Sequence, residues 1–167
     1  MNRRNLLAGA AALLAGPAIA KPRAVRVAFL GQALIEHVID EGAWPGRAAL
    51  RARLRRSDVC FSNLETVIRG PRAGAPTRES LTVHAGEPEV LGVLADLGIN
   101  LLATSNNHAF DLGSGGILDT VEAIGRQGLA FAGSGANLAA ASAPGYRESP
   151  AGPVALVAFA TGKVREG

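Results

Sequence analysis

A chain of 167 residues with 48% apolar content suits one domain with a sizeable core. Glycine is abundant at 21 residues and aromatics are scarce at 4%, a balance that fits a glycine-turned α/β protein better than a disordered chain or an all-β sandwich. The formal charge is only +3, and without Arg3 and Arg4, 15 of the 17 basic residues face 14 acidic ones, so the chain lacks the charge excess and aromatic platforms of a nucleic-acid binder.

Residues 1–20 read as an export signal. Arg3 and Arg4 give a charged start, Leu6 to Leu14 a short apolar region, and Ala18-Ile19-Ala20 a small-x-small cleavage site that makes Lys21 the first mature residue. Arg-Arg-Asn-Leu-Leu also resembles a twin-arginine signal, which exports folded proteins. The apolar run is too short to span a bilayer. The expected location is therefore periplasmic or extracytoplasmic, with no transmembrane span once the signal is removed. Cys60 is the single cysteine, so no intrachain disulfide forms, and between Val59 and Phe61 it reads as a small buried hydrophobe.

The mature part alternates strand and helix patterns. Val25 to Leu30 is a first strand ending on Gly31-Gln32. A helical stretch within residues 33–56 is broken at Trp44-Pro45-Gly46, and its stripe Arg47, Arg51, Arg55 reads as a solvated face. Val59 to Ser62 is a second strand, ending on Asn63-Leu64-Glu65. Arg69 to Arg78 reads as an exposed loop, and Leu81 to His84 as a short strand. Pro88 opens a helix that Gly98 stops. Leu101 to Ala103 is a buried strand, followed by the polar turn Ser105-Asn106-Asn107-His108 and a helix from about Gly116 to Gln127. Leu129 to Ala132 is a strand, Asn137 to Ala143 a short helix, and Val154 to Ala160 a last buried strand. This order predicts a mostly parallel sheet flanked by helices. The strand ends Gly31-Gln32, Asn63-Glu65 and Asn106-His108 then share one rim, where such sheets place their sites.

That rim carries donors suited to a divalent cation. Glu65 offers a charged oxygen and Asn107 a carbonyl oxygen. His108 offers a ring nitrogen for a metal, a phosphate contact or a proton transfer, and Asp111 stands three residues on, able to orient it. The same residues also suit plainer roles: Asn106 and Asn107 as turn formers, Glu65 as a solvated carboxylate, Asp111 as a helix N-cap. No glycine-rich phosphate loop follows the first strand, which argues against a nucleotide-binding domain.

Three segments resemble the CapA family of bacterial poly-γ-glutamate capsule proteins. They are Asp58 to Glu65 (DVCFSNLE), Asn106 to Gly113 (NNHAFDLG) and Gly133 to Leu138 (GSGANL), with Ala141 and Pro144 after the last, and the likeness runs from about Val25 to the end. It implies the N-terminal part of a calcineurin-like metallophosphoesterase α/β sandwich over residues 21–167. It also implies a metal-dependent hydrolase type, with divalent metal bound by Asn107 and by Glu65 as the expected acid, and His108 facing a phosphoryl group. The implied partners are the capsule or poly-γ-glutamate synthesis machinery. Two departures matter. Relatives have Gly-Asp where this chain has Gly31-Gln32, so the metal position falls to an uncharged amide, a weaker donor for a hard cation. Relatives also continue past the position of Gly167 with histidine motifs that complete the metal site, so this chain is expected to be incomplete and inactive alone. The alternative is a non-catalytic envelope binding or assembly component that keeps the fold.

Overall fold

The computed structural model describes residues 24–78 and 82–161. The export-signal reading, and Leu81 at the head of the expected short strand, lie outside them. Four strands form a parallel sheet: β1 (Val27–Ala33), β2 (Val59–Leu64), β5 (Leu101–Ala103) and β6 (Ala130–Ala132), adjacent in that order. Two short strands, β3 (Val67–Ile68) and β4 (Ala85–Gly86), make a separate parallel pair. The helices are α1 (Arg47–Leu54), α2 (Glu89–Leu97), α3 (Gly113–Arg126) and α4 (Leu138–Ser142). The expected α/β class, with a mostly parallel sheet flanked by helices, is what the chain forms.

The core lies between the sheet and α1, α2 and α3. Cys60, Val90, Leu91, Leu102 and Ile124 are fully buried there, with Ala28 and Leu30 of β1 packed against them. Burial pushes the Cys60 thiol above its ordinary value, which suits a packing role. Gly98 ends α2 at φ 100°, the left-handed turn that glycine adopts without steric cost.

Several expectations change. β1 runs through Gly31 and Gln32 instead of stopping before them, with a register shift between Phe29 and Gln32. The arginine stripe is docked on α2 instead of lying free in solvent: Arg47 and Arg51 reach Asp96 Oδ2 at 2.9 and 2.6 Å, and Arg55, itself still exposed, reaches Oδ1 at 3.3 Å. Among the described residues, none after Pro153 enters the main sheet. Val154–Leu156 (β8) pairs antiparallel with Gly145–Arg147 (β7) across a turn closed by Ser149 and Gly152, and beyond it Phe159 is 78% exposed. A nearby antiparallel partner costs far less loop closure than a parallel crossover, so the local hairpin wins.

The loop 69–78 is strapped down. Arg72 gives its backbone N–H and Nε to the buried carboxylate of Asp119 on α3, at 2.9 and 2.7 Å. The amides of Gly74 and Thr77 donate to the carbonyls of Leu112 and Asp111. The approach is so close that a Cβ on Gly115 would lie 1.7 Å from the Arg72 carbonyl oxygen, whereas a Cβ on Gly125 would meet nothing within 4 Å. Gly115→Ala is therefore expected to cost about 1–3 kcal/mol by overpacking, and Gly125→Ala to add about 0.5–1 kcal/mol through helix propensity, both read by urea unfolding.

Partial burial alone would raise the Asp96 carboxyl, but hydrogen bonds and charge from Arg47 and Arg51 outweigh it and hold the group below its ordinary 3.8. A depressed folded value stabilises above the ordinary value, and the gain disappears as pH falls through the folded one. Thermal melts should thus show the wild type above Asp96→Asn at pH 7, with the gap closing on acidification below about pH 4.

Candidate active site at the strand-end rim

β2 and β5 are neighbours in the sheet, so the segments leaving their carboxyl ends meet. Asn106 is the lock between them: its Nδ2 donates to Leu64 O at 2.7 Å and Asn63 Oδ1 at 3.1 Å, while its Oδ1 accepts the His108 amide at 3.0 Å. Asn63 in turn donates to Glu65 Oε2 at 2.6 Å. Glu65 is 3% exposed. A carboxylate this buried needs hydrogen bonds to stay tolerable, and Asn63 supplies one.

The tight turn after β5 closes with the Asp111 amide on the His108 carbonyl, which puts both side chains on one side. Asp111 is 1% exposed, and its Oδ2 lies 2.7 Å from His108 Nδ1. An ionised carboxylate only accepts, so this contact calls for a proton on Nδ1, and in the neutral imidazole Nε2 is then the nitrogen with the lone pair. That Nε2 stands 4.0 Å from Glu65 Oε1. The N-cap alternative for Asp111 fails: the cap position of α3 is Leu112, with no side-chain cap. Instead Asp111 Oδ1 contacts Arg78 Nε at 2.6 Å, and Oδ2 also accepts the His84 amide at 3.1 Å. Arg78 further donates to the Asn107 carbonyl.

The other expected donors sit farther out. The side chains of Asn107 and Gln32 are exposed. Gln32 lies within β1, register partner of Asn63, so it shares the rim. Beside the turn opens a groove of about 850 Å³ bounded by Arg78, Asn106, Asn107, Phe110 and the Gly133–Gly135 loop.

Ligands at about 2.0–2.2 Å from one cation stand at most about 4.4 Å apart, so Glu65 Oε1 and His108 Nε2 fit as two donors of a shared ion. Among the described residues, no three His, Cys, Asp or Glu side chains gather closely enough to hold a metal by themselves. The pair is thus compatible with a cation as part of a larger ligand set.

Two residues of this cluster were not singled out in the sequence: Arg78, inside a proline- and glycine-rich loop, and His84, after a short apolar run. Only the scarcity of histidine, three in the chain, hinted at the second. Asn106 and Asn107 look equivalent in sequence and are not. Removing Asn106 leaves several partners unsatisfied, so Asn106→Ala is expected to cost about 1–3 kcal/mol and Asn107→Ala within about 0.5 kcal/mol, compared by denaturant unfolding.

Comparison with known proteins gives concordant matches. The family model for the bacterial capsule synthesis protein PGA_cap matches residues 25–167. An uncharacterized protein of Sinorhizobium fredii is 33% identical over 135 residues, covering 79% of this chain and 29% of its own length. A probable polyglutamine synthesis accessory protein of Mycobacterium tuberculosis is 34% identical over 99 residues, covering 59% of this chain and 26% of its own length. The chain therefore spans under a third of the curated relatives it matches. With the match extending from residue 25 through residue 167, and with the α/β architecture around the Asn-Asn-His turn, the chain belongs to the PGA_cap family of bacterial capsule synthesis proteins.

Proposed function

We propose that the chain belongs to an exported protein of capsule or poly-γ-glutamate metabolism and carries one side of a metal-dependent phosphoesterase-type site. The capsule reading draws on the family and on the mycobacterial relative, whose name makes it an accessory protein of polyglutamine synthesis. The observation that carries the site reading is the placement of a buried Glu65 carboxylate 4.0 Å from His108 Nε2, the ring nitrogen turned away from Asp111. In this reading Glu65 and His108 hold one side of a divalent cation, with Asn107 and Gln32 supplying neutral oxygens from the rim. A bound divalent cation supplies Lewis acidity toward a phosphoryl oxygen and lowers the pKa of water. The chain's own residues do the positioning. Asp111 fixes the His108 tautomer, Asn106 fixes the turn, and Nε2 is left facing the side where the cation would sit.

A second reading, a non-catalytic envelope binding or assembly component, is favoured by one observation. The position of the expected first acid is Gln32, uncharged and exposed.

Manganese titration of the labelled chain separates the two. Paramagnetic broadening should centre on Glu65, Asn107 and His108 and be lost in Glu65→Gln. No broadening there at millimolar manganese would overturn the metal reading and leave the second. Turnover of a generic phosphoester is expected to be absent or very weak, and turnover abolished by His108→Ala would contradict that.

A further inference from the structure

His108 is not the only imidazole at this corner. The His84 ring meets the His108 ring edge-on, centroids 4.4 Å apart and planes at 62°. His84 Nδ1 is 2.7 Å from Glu36 Oε1, and its amide donates to Asp111 Oδ2 at 3.1 Å. Its side chain is 17% exposed and that of Glu36 31%.

Glu36 arrives there by construction. The segment after β1 is held by the Glu65 amide on the Ala33 carbonyl, 3.1 Å, and by the Ile35 amide on Thr66 Oγ1, 3.0 Å. It runs directly over Gly86, where a Cβ would stand 3.0 Å from the Ile35 carbonyl oxygen and 3.2 Å from that of Glu36. Glycine at 86 therefore lets Glu36 come down onto the strand carrying the residue after His84. His84 is fixed from the other side as well, because its carbonyl accepts the Val67 amide at 2.9 Å.

We propose that Glu36 and His84 form a second carboxylate–imidazole pair whose task is to position His108: Glu36 locks the His84 ring, and the tilted contact between the two rings holds the His108 imidazole on Asp111. His84 is thus a positioning residue for the reactive corner, and the proposal rests on the reading of His108 as the acting side chain there. An aromatic edge against a ring face is an attractive geometry, and locking a neighbour's rotamer is how a supporting shell keeps a reactive group in place.

The test uses the whole 167-residue chain and the Nδ1–H proton of His108, observed by histidine-selective NMR. The wild type should show a downfield resonance that exchanges slowly with water. His84→Ala and Glu36→Ala should lose it while the amide spectrum of the parallel sheet is unchanged. Glu36→Gln, which keeps an acceptor oxygen for His84, should restore it. Rescue by glutamine is something loss of general stability would not produce. If His84→Ala fails to fold, the Glu36 pair decides alone. A His108 proton indifferent to Glu36→Ala overturns the proposal, even if manganese still broadens His108 and the metal reading stands. Loss in Glu36→Ala with rescue by glutamine supports it, even if manganese has no effect and the metal reading falls.

Discussion

The rim depends on one buried carboxylate. Asp111 is 1% exposed, in surroundings where an unpaired charge would be costly, so the chain must bring partners to it. It brings three: the Arg78 guanidinium from the strapped loop and the His84 amide from the approach to β4, both remote in sequence, and the His108 ring from its own turn. The two remote arrivals each have a structural precondition. Arg78 reaches Asp111 because Arg72 and Asp119 anchor the loop to α3, and that anchoring requires glycine at 115. His84 reaches it because β4 pairs with β3 directly after Glu65. One carboxylate thus ties a loop, a short strand and the reactive turn together.

The consequence for chemistry is tautomer control. A ring nitrogen bonded to an ionised carboxylate keeps its proton, which leaves the opposite nitrogen as donor to a cation or to a reacting atom. Across from it, Glu65 is held by Asn63, itself held by Asn106. The strand-end segments after β2 and β5 are therefore cross-linked by side-chain amides before any ligand enters. Such preorganisation is what a site on a rigid frame requires.

Much of this was legible in the sequence. The apolar runs at residues 59–62 and 101–103 with polar ends predicted buried parallel strands, and the shared rim followed from topology. The three-residue spacing of His108 and Asp111 predicted their contact. What was not legible rests on long-range placement. The arginine stripe looked solvated because Asp96, its partner, is 41 residues from Arg55. Loop 69–78 looked loose because its anchors, Asp119 and the Asp111 and Leu112 carbonyls, lie on and just before α3. The last apolar run looked like a core strand, but its nearest pairing partner is a hairpin neighbour. Asn106 and Asn107 differ only in which way each points once the turn has formed, and no local pattern encodes that.

The Arg78–Asp111 ion pair couples the strapped loop to the reactive turn. A double-mutant cycle with Arg78→Gln and Asp111→Asn, followed by urea unfolding, tests it most directly. The expected result is strong non-additivity, with a coupling energy of about 1–3 kcal/mol, since either single change leaves the other group buried without its counter-charge. Additive costs within about 0.5 kcal/mol would contradict it, because independent groups behave that way.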